Sequence, residues 1–457
     1  MKTFAIVALV ASCTGVGLLA CSTASSNSGT SSVVDDGGSV VTADSGSDAG
    51  ASATTTSWYA NGKPFVDRYC RSCHGGEGPG VGDFTTYENV SALASSMLAA
   101  VTAKRMPPGA SDPGCRDYQN SDRRFVTDAD RASFAKWVAE GTPKGTPNGE
   151  AEVPPIDDTI ANPDLVVKAA APYTPTFSDP SQPGNEYRCF AIRPGLTSDK
   201  YITELGPIID KRSMVHHIVA FRIDPSRLPT EAQGYPANGW SCIDMVNAGI
   251  NPGSNPLTGD GMLVAWAPGT GPFKFPQGTG VVLKSTDVVV LQMHYFQSSK
   301  TPAGTADHTA FAMKLADSVD KKLLIAPVGK TNFTIPAGNA SYSYTGSFGP
   351  LPVALTVYGT MPHMHVLGKS YELSFNGEDG GRECVAKSDR YDFSNQVTYL
   401  FKQPVVVQPG AKVDFRCTWD NSAANPNQVH SPPIDIGYGE RTDQEMCYAF
   451  TILGIGN

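Results

Sequence analysis

Two groups of histidines in the second half of the chain constrain its fold more than any other feature. The first group is His216-His217 with the distant His294, and the second is His363-Met364-His365 with the distant Met446. A soft thioether beside imidazoles favours Cu(I), whereas zinc more often takes carboxylate or thiolate ligands. The pattern therefore predicts two separate copper sites and a fold that brings the distant members of each group together.

The spacing within each group decides how its imidazoles can share one metal ion. His363 and His365 are two residues apart, so both side chains project from the same face of a β-strand. His216 and His217 are adjacent, and consecutive strand residues point to opposite faces. Two local arrangements would bring both to one ion with His294: a β-bulge, or coordination through different ring nitrogens.

A third motif lies near the amino terminus. The segment Cys70-Arg71-Ser72-Cys73-His74 has the spacing of a c-type haem attachment site. The thiols of Cys70 and Cys73 would bond to the haem, and His74 would be an axial ligand of its iron. A thioredoxin-like redox pair would need a βαβ context, and a zinc site would need a second Cys/His pair nearby; neither is present.

The sixth ligand of this haem is predicted to be Met106. It lies in Arg105-Met106-Pro107-Pro108-Gly109, a rigid non-helical segment, and thioether ligation raises the reduction potential of a haem. Met97 is the alternative, but with Leu93 and Val101 it forms an apolar stripe typical of a helix that packs on a core. Residues 57–144 end with a capped helical pattern, and they resemble a small all-α class I cytochrome c domain.

The length of 457 residues predicts two to four domains. A net charge of −9 argues against nucleic-acid binding, which requires basic patches. Residues 145–172 form a second linker that is rich in Pro, Gly and Thr. From residue 173 onward, short β-branched runs alternate with turn residues, which predicts all-β sandwich domains.

The first residues of the chain resemble a bacterial lipoprotein signal. Residues 1–21 contain one short apolar run that ends at Leu18-Leu19-Ala20-Cys21, and Cys21 is the predicted lipidation site. An ordinary signal peptide or a short membrane anchor is the alternative. Residues 22–56 are predicted to be a disordered linker because they lack large apolar side chains. We therefore expect a protein of the bacterial periplasm or cell surface that contacts a membrane only through its lipid anchor.

The copper motifs occur in a specific order. Their segments are Met214-Val215-His216-His217, Leu291-Gln292-Met293-His294-Tyr295, His363-Met364-His365-Val366-Leu367-Gly368 and Asp443-Gln444-Glu445-Met446-Cys447. This order resembles the type II ascorbate-dependent copper monooxygenases, which include the peptidylglycine α-hydroxylating and dopamine β-monooxygenases. The resemblance implies two jelly-roll-like sandwiches, at 173–317 and 318–457. The first would hold an electron-storing copper and the second the copper that activates O₂.

The resemblance also implies two disulfides, Cys189–Cys242 and Cys417–Cys447. The spacing of the cysteines by itself cannot choose among the 15 pairings that six cysteines allow. Cys115 and Cys384 remain, either as a bridge between the cytochrome and copper domains or as two free thiols. The sequence leaves that choice open.

Three positions depart from the peptide-amidating members of the family. An Arg that anchors the substrate carboxylate is replaced here by Met361, and the Asn and Tyr that assist it are replaced by Tyr448 and Phe450. A peptide ending in glycine is therefore not the expected substrate, and the pocket is expected to be more apolar.

The sequence thus predicts a copper monooxygenase that hydroxylates a C–H bond of a small organic substrate with O₂. Its catalytic residues would be His363, His365 and Met446, and its cofactors two copper ions and haem c. Electrons would come from ascorbate or a periplasmic carrier, with the fused haem as their entry point. The alternative is a lipoprotein that transfers electrons or handles copper without catalysis.

Overall fold

The computed structural model describes residues 56–149, 152–180, 183–242, 261–439, 441 and 443–455. The predicted signal at 1–21, its Cys21 and nearly all of the linker at 22–56 lie outside the described residues. None of the helices in the described part is both long enough and apolar enough to cross a membrane.

A group of helices comes first in the chain and packs on its own aromatic core. One π-helical turn, Trp58–Gly62, precedes five α-helices. They are α1 (Lys63–Tyr69), α2 (Arg71–His74), α3 (Tyr87–Thr102), α4 (Ser121–Arg124) and α5 (Asp128–Ala139).

Side-chain caps fix where the two long helices start. Thr86 accepts a hydrogen bond from the Asn89 amide at the start of α3, and Thr127 accepts one from the Asp130 amide at the start of α5. On α3, Met97 and Val101 are buried in the core, but Leu93 is 41% exposed. The apolar stripe of this helix is therefore shorter than the sequence pattern indicates.

The rest of the described chain consists of strands, which confirms the β-sandwich class predicted for it. The strands of the first half are β1 (Leu165–Lys168), β2 (Asn185–Ile192), β3 (Lys200–Ile208), β4 (Val215–Ile223), β5 (Trp240–Ser241), β6 (Gly261–Trp266), β7 (Phe273–Lys274), β8 (Thr279–Leu283), β9 (Val288–Phe296) and β10 (Ala310–Ala316). Those of the second half are β11 (Lys321–Gly329), β12 (Thr334–Ile335), β13 (Tyr342–Phe348), β14 (Leu355–His363), β15 (Gly368–Asn376), β16 (Arg382–Ser388), β17 (Tyr399–Val407), β18 (Lys412–Trp419), β19 (Ile436–Gly437) and β20 (Tyr448–Ile455). Short 3₁₀ turns occur at Pro225–Arg227, Thr230–Ala232 and Phe393–Asn395.

One sheet is shared by the two halves. Its strand order is β1-β10-β3-β8-β11-β20-β14-β17, with β7 paired to β3. The link between the halves is the parallel pair β8 and β11, in which residues 279–281 lie opposite 321–323. A five-stranded sheet (β5-β2-β9-β4-β6) belongs to the first half, and a four-stranded sheet (β13-β18-β15-β16) and the pair β12-β19 belong to the second.

The segment between α3 and α4 is fastened to the second sandwich. Cys115 forms a disulfide with Cys384 on β16, so the two thiols that the sequence left unassigned are bonded. Arg116 forms an ion pair with the neighbouring Glu383. Tyr118 is almost fully buried, with its ring edge-on to that of Tyr399 at 4.8 Å. The helical group therefore has covalent and packing contacts to the β half.

We expect the double substitution Cys115→Ser and Cys384→Ser to lower the free energy of unfolding by about 2–5 kcal/mol. The bond closes a loop with a sequence separation of 269, so it restricts the unfolded chain strongly. Urea denaturation measures the change. Glu383→Gln is the control, because it removes only the adjacent ion pair, which is worth less than about 1 kcal/mol at a partly exposed site. Equal stability of all three proteins would contradict this expectation.

Candidate metal centres

The first histidine group comes together where β4 and β9 pair. The two strands are antiparallel, and their register shifts between Val215 and His217, so His217 lies opposite His294 while His216 occupies a bulge. A bulge changes the direction of a side chain relative to a regular strand. It brings the two adjacent imidazoles to the same side, which is one of the two arrangements that the sequence allowed.

All three imidazoles of the first group present the same ring atom to one another. The Nδ1 atoms of His216 and His217 lie 3.2 and 3.1 Å from the Nδ1 atom of His294. Nitrogens bound to one metal ion at about 2.0–2.1 Å are separated by distances of this size. The donor set therefore suits a metal ion held by three nitrogens, and coordination through different ring atoms is not needed.

Neighbouring side chains set the tautomer of His294. Its Nε2 atom is 2.8 Å from Oδ1 of Asn185, so Nε2–H donates and Nδ1 carries the lone pair. The Tyr187 ring stacks on the same imidazole with 4.2 Å between centroids and 6° between planes. Gln292, a possible helper of electron transfer by its position in the sequence, donates to the Cys242 carbonyl at 2.9 Å. These contacts fix ring orientation before any ion binds.

Burial keeps these imidazoles neutral. It lowers the pKa of His294 well below its ordinary value, and charge on His217 and His216 lowers it further. Burial also lowers the pKa of His217 to about 3, with added contributions from charge on His216 and on His363. Neutral imidazole is the form that binds metals. The influence of His363 also means that the two histidine groups are electrostatic neighbours.

The second group lies where β14 ends beside the start of β20. His363 is the last residue of β14 and pairs with Tyr448 of β20. The strand stops there, so His365 lies in the turn that follows it, and the expectation of two ligands on one regular strand is wrong in this detail. The two rings are nonetheless close, with centroids 5.2 Å apart and planes at 86°.

Each histidine of the second group donates through Nδ1. Nδ1 of His363 lies 2.6 Å from Oε1 of Gln396, and Nδ1 of His365 lies 3.0 Å from the carbonyl oxygen of Gln444. The lone pair is therefore on Nε2 in both rings. Burial lowers the pKa of His363 to about 3, and charge on His365 lowers it further.

Met446 lies just before β20. It is 6% exposed and stands two residues before Tyr448, the partner of His363, so the strand register puts it at the same end of the sheet. Its neighbour Cys447 is bonded to Cys417 on β18. The other disulfide implied by the family resemblance, Cys189–Cys242, is also present and joins β2 to the residue after β5.

One residue beside Met446 was missed by the sequence reasoning. Glu445 is fully buried, and burial raises the pKa of its carboxyl to about 7 even though four N–H groups donate to it and lower that pKa. The available signal was its position directly before a predicted thioether ligand and the mostly apolar run that follows it. Gln396 was also missed, since it lies 33 residues beyond the histidine that it contacts and nothing local marks it.

The three residues of the haem motif are positioned by α2 and the loop after it. Among the described cysteines, Cys70 and Cys73 are the ones outside disulfides. Nδ1–H of His74 donates to the Val81 carbonyl at 2.8 Å, which leaves Nε2 as the atom with the lone pair. The ring stacks on Phe84 with 4.5 Å between centroids. Two thiols and an oriented imidazole suit covalent attachment of a haem.

Met106 is placed separately from that motif. It follows α3, is 42% exposed, and lies on the wall of a cavity of about 190 Å³ that Arg124 and Arg390 also line. Burial raises the pKa of the Cys73 thiol, and the charge of Arg124 opposes that shift, so Arg124 stands near both the motif and the cavity.

Comparison with known proteins gives one family for the β half. The profile of the copper type II ascorbate-dependent monooxygenase N-terminal domain matches residues 174–302, and that of the C-terminal domain matches 323–453. Together they cover more than half of the chain. The DBH-like monooxygenase protein 2 of Mus musculus is 24% identical over 289 residues, which are 58% of this chain and 42% of that protein. The chain thus spans less than half the length of this curated relative.

The solved structures that resemble this chain do so only weakly, with low sequence identity and low TM-scores. The VP2 subviral particle of infectious bursal disease virus is 12% identical, covers 66% of this chain and 75% of that one, and has a TM-score of 0.17. A structure of the Gx strain of the same virus is 11% identical in sequence, and the alignment covers 74% of this chain and 78% of that chain. Its TM-score is also 0.17. At these scores the likeness carries no conclusion about the fold.

Proposed function

Because this chain belongs to the copper type II ascorbate-dependent monooxygenases, we propose that it hydroxylates a C–H bond of a small organic substrate with O₂. The observation that carries the proposal is the first histidine group, whose three Nδ1 atoms converge inside the N-terminal family match. The second group, with its two Nε2 lone pairs and the nearby thioether, falls inside the C-terminal match.

The proposed reaction consumes two electrons. Substrate R–H, O₂, two electrons and two protons give R–OH and water, so one oxygen atom enters the product and the other leaves as water. Copper ions held by the two groups would each supply one of these electrons and, at the second group, the site where O₂ reacts.

The two groups differ in the ligands that they offer. His216, His217 and His294 offer three neutral nitrogens and no sulfur, which suits an ion that only stores and passes an electron. The second group adds the soft sulfur of Met446, which favours the reduced ion that reacts with O₂. The low pKa values of His217 and His363 keep protons from competing with the metal near neutral pH.

Aromatic side chains surround the second group and support an apolar substrate. Phe450 lies edge-on to His363 and Phe393 edge-on to His365, each with 5.9 Å between ring centroids. Tyr448 stacks on Phe450 at 6.4 Å. Met361 is buried where the peptide-amidating members carry an arginine. We propose an uncharged substrate with an aromatic or aliphatic C–H group, since the four side chains just described carry no positive charge that would pair with a carboxylate.

Labelled oxygen tests the reaction directly. The copper-loaded, reduced protein is given ¹⁸O₂ and a panel of small aromatic, aliphatic and carboxylate-bearing compounds, and the products are analysed by mass spectrometry. We expect one ¹⁸O atom per hydroxylated product and a preference for uncharged compounds. Two bound coppers without O₂ uptake on any compound would instead favour a protein that transfers electrons or handles copper without catalysis.

A c-type haem at Cys70, Cys73 and His74 is the proposed entry point for electrons. Contacts between the motif and the first sandwich support this role. Lys300, six residues beyond His294, donates to the carbonyl oxygens of Gly75, Gly78 and Gly82 at 3.3, 3.1 and 2.8 Å. The loop that follows the motif is therefore held by the chain segment that continues from a ligand of the first group.

A second contact leads from the motif toward the first group. The Cys73 sulfur lies 3.7 Å from the carbonyl oxygen of Pro268. Pro268 is two residues beyond Trp266, which pairs with Ile218 on β4, the neighbour of His217. The short distance between the haem motif and the segment that continues from β6, a strand paired with β4, is what supports electron transfer from the haem to the first copper. In stopped-flow mixing, pre-reduced haem should transfer its electron to Cu(II) faster than free ascorbate reduces the same Cu(II). Haem that stays reduced during turnover would refute its role as the entry point.

Met106→Ala should leave the haem covalently attached but lower its reduction potential, because thioether ligation raises that potential. Potentiometric titration of the purified protein measures the shift. Met97→Leu is the matched control, since Met97 is buried in the helical core and leucine conserves its volume. An unchanged potential in Met106→Ala would point to a different sixth ligand.

Lipid attachment at Cys21 in the periplasm or at the cell surface remains part of the proposal, with ascorbate or a periplasmic carrier as the external reductant. Three disulfides in the described part of the chain support an oxidising compartment.

A further inference from the structure

Glu445 collects hydrogen bonds from three separate segments. Its Oε1 atom accepts from the Leu367 amide at 2.8 Å, in the turn after β14. Its Oε2 atom accepts from the His365 amide and from the Trp419 indole, both at 2.8 Å, and from the Met446 amide at 3.2 Å. The side chain is fully shielded from solvent.

A buried carboxylate is costly unless donors surround it, and N–H bonds to a charged acceptor are about twice as strong as neutral ones. The four donors meet that need. Two of them are the backbone amides of His365 and Met446, which are themselves members of the second group. The carboxylate thus joins the turn that carries one imidazole to the segment that carries the thioether.

Two residues of β18 also contact the segment that carries Met446. Trp419 ends the strand and donates to Glu445, and Cys417, two residues earlier on the same strand, is bonded to Cys447. Met446 is therefore held between a hydrogen-bonded carboxylate on one side and a covalent bond on the other. The disulfide does not reach the turn at His365, which is joined to the Met446 segment by Glu445 and by the bond from its own ring to the Gln444 carbonyl.

We propose that Glu445 is the positioning residue of the second copper site. Through its four N–H contacts it sets the distance between the turn that carries His365 and the segment that carries Met446. The inference rests on the proposed function, because it takes His363, His365 and Met446 as copper ligands.

Glu445→Gln replaces one carboxyl oxygen with an NH₂ group and nearly keeps the shape of the side chain. A glutamine side chain has one acceptor oxygen and one NH₂ donor. Its NH₂ group would therefore point at N–H donors that now bond to a carboxyl oxygen, and those hydrogen bonds would be lost. We expect Cu(I) affinity at the second site to fall about 10- to 100-fold, as for other residues that orient metal ligands. The copper–sulfur signal in X-ray absorption should weaken, because Met446 is no longer held at its distance from His365.

Two further variants keep the test decisive. Glu383→Gln removes a partly exposed carboxylate from the same sandwich and should change neither affinity nor sulfur ligation. Trp419→Phe keeps the carboxyl and removes one of the four donors, so it should give a smaller loss of affinity and of the copper–sulfur signal. It serves as the test if Glu445→Gln does not fold.

Wild-type affinity and sulfur ligation in Glu445→Gln would overturn the positioning role. A wild-type protein without any copper–sulfur signal would instead contradict the proposed ligand set itself. The two failures are therefore distinguishable by measurements that do not depend on catalytic activity.

Discussion

Met446→Ala is expected to abolish hydroxylation, with at least a 100-fold fall in kcat/KM, while copper at the first histidine group stays bound and reducible. The sulfur is the only soft donor proposed for the second group, and its loss leaves two imidazoles that hold Cu(I) less well. Product formation is measured with ¹⁸O₂, and metal content by elemental analysis of the purified protein.

Met446→Leu separates the sulfur from the packing. Met446 is 6% exposed, so the alanine variant also leaves a cavity that costs about 2–5 kcal/mol of stability. Leucine conserves the volume and should cost less than about 1.5 kcal/mol. We expect it to be as inactive as alanine although it is nearly as stable as the wild type. An active leucine variant would mean that Met446 is a packing residue, and the second site would need another donor.

The types of residue in the candidate sites were predictable because their chemistry is local. Closely spaced histidines, with a distant methionine, indicate metal chemistry, and the order of the copper motifs along the chain matches one family. The β class was predictable for the same reason, since alternating β-branched runs and turns are local patterns. Cys189–Cys242 and Cys417–Cys447 came from the family resemblance and not from spacing.

What the sequence did not predict depends on contacts between distant segments. The bulge at His216 is a matter of register between β4 and β9, and no property of the adjacent pair distinguishes it from a regular strand. Asn185 lies 109 residues before His294, whose tautomer it sets. The bond between Cys115 and Cys384 spans most of the chain, and thiols carry no information about their partners.

The sheet shared by the two halves also depends on contacts between distant segments, so the sequence did not predict it. A run of apolar residues specifies that β8 and β11 are strands, but not that they pair in parallel across the two halves. This pairing has a consequence for function, because it continues through β20 and β14, where the second histidine group begins. The position of the second histidine group relative to the shared strands of the first half is thus set by backbone pairing that only the folded chain reveals.

His294→Ala is expected to stop turnover by a different route from Met446→Ala. The Nδ1 atom of His294 faces the Nδ1 atoms of both other histidines of its group, so its removal takes away the centre of that donor set. We expect bound copper to fall from two ions to one per chain, the copper–sulfur signal of the second site to persist, and kcat to fall at least 100-fold.

The reason for that loss is the electron count. Hydroxylation consumes two electrons, and a single copper at the second site can give only one before it must be reduced again. His308→Ala is the matched control, because His308 lies outside both groups and contacts the carbonyl oxygen of Ala169; it should retain both coppers and full turnover. A His294→Ala protein that holds one copper and still turns over at the wild-type rate would contradict a first site that stores the second electron.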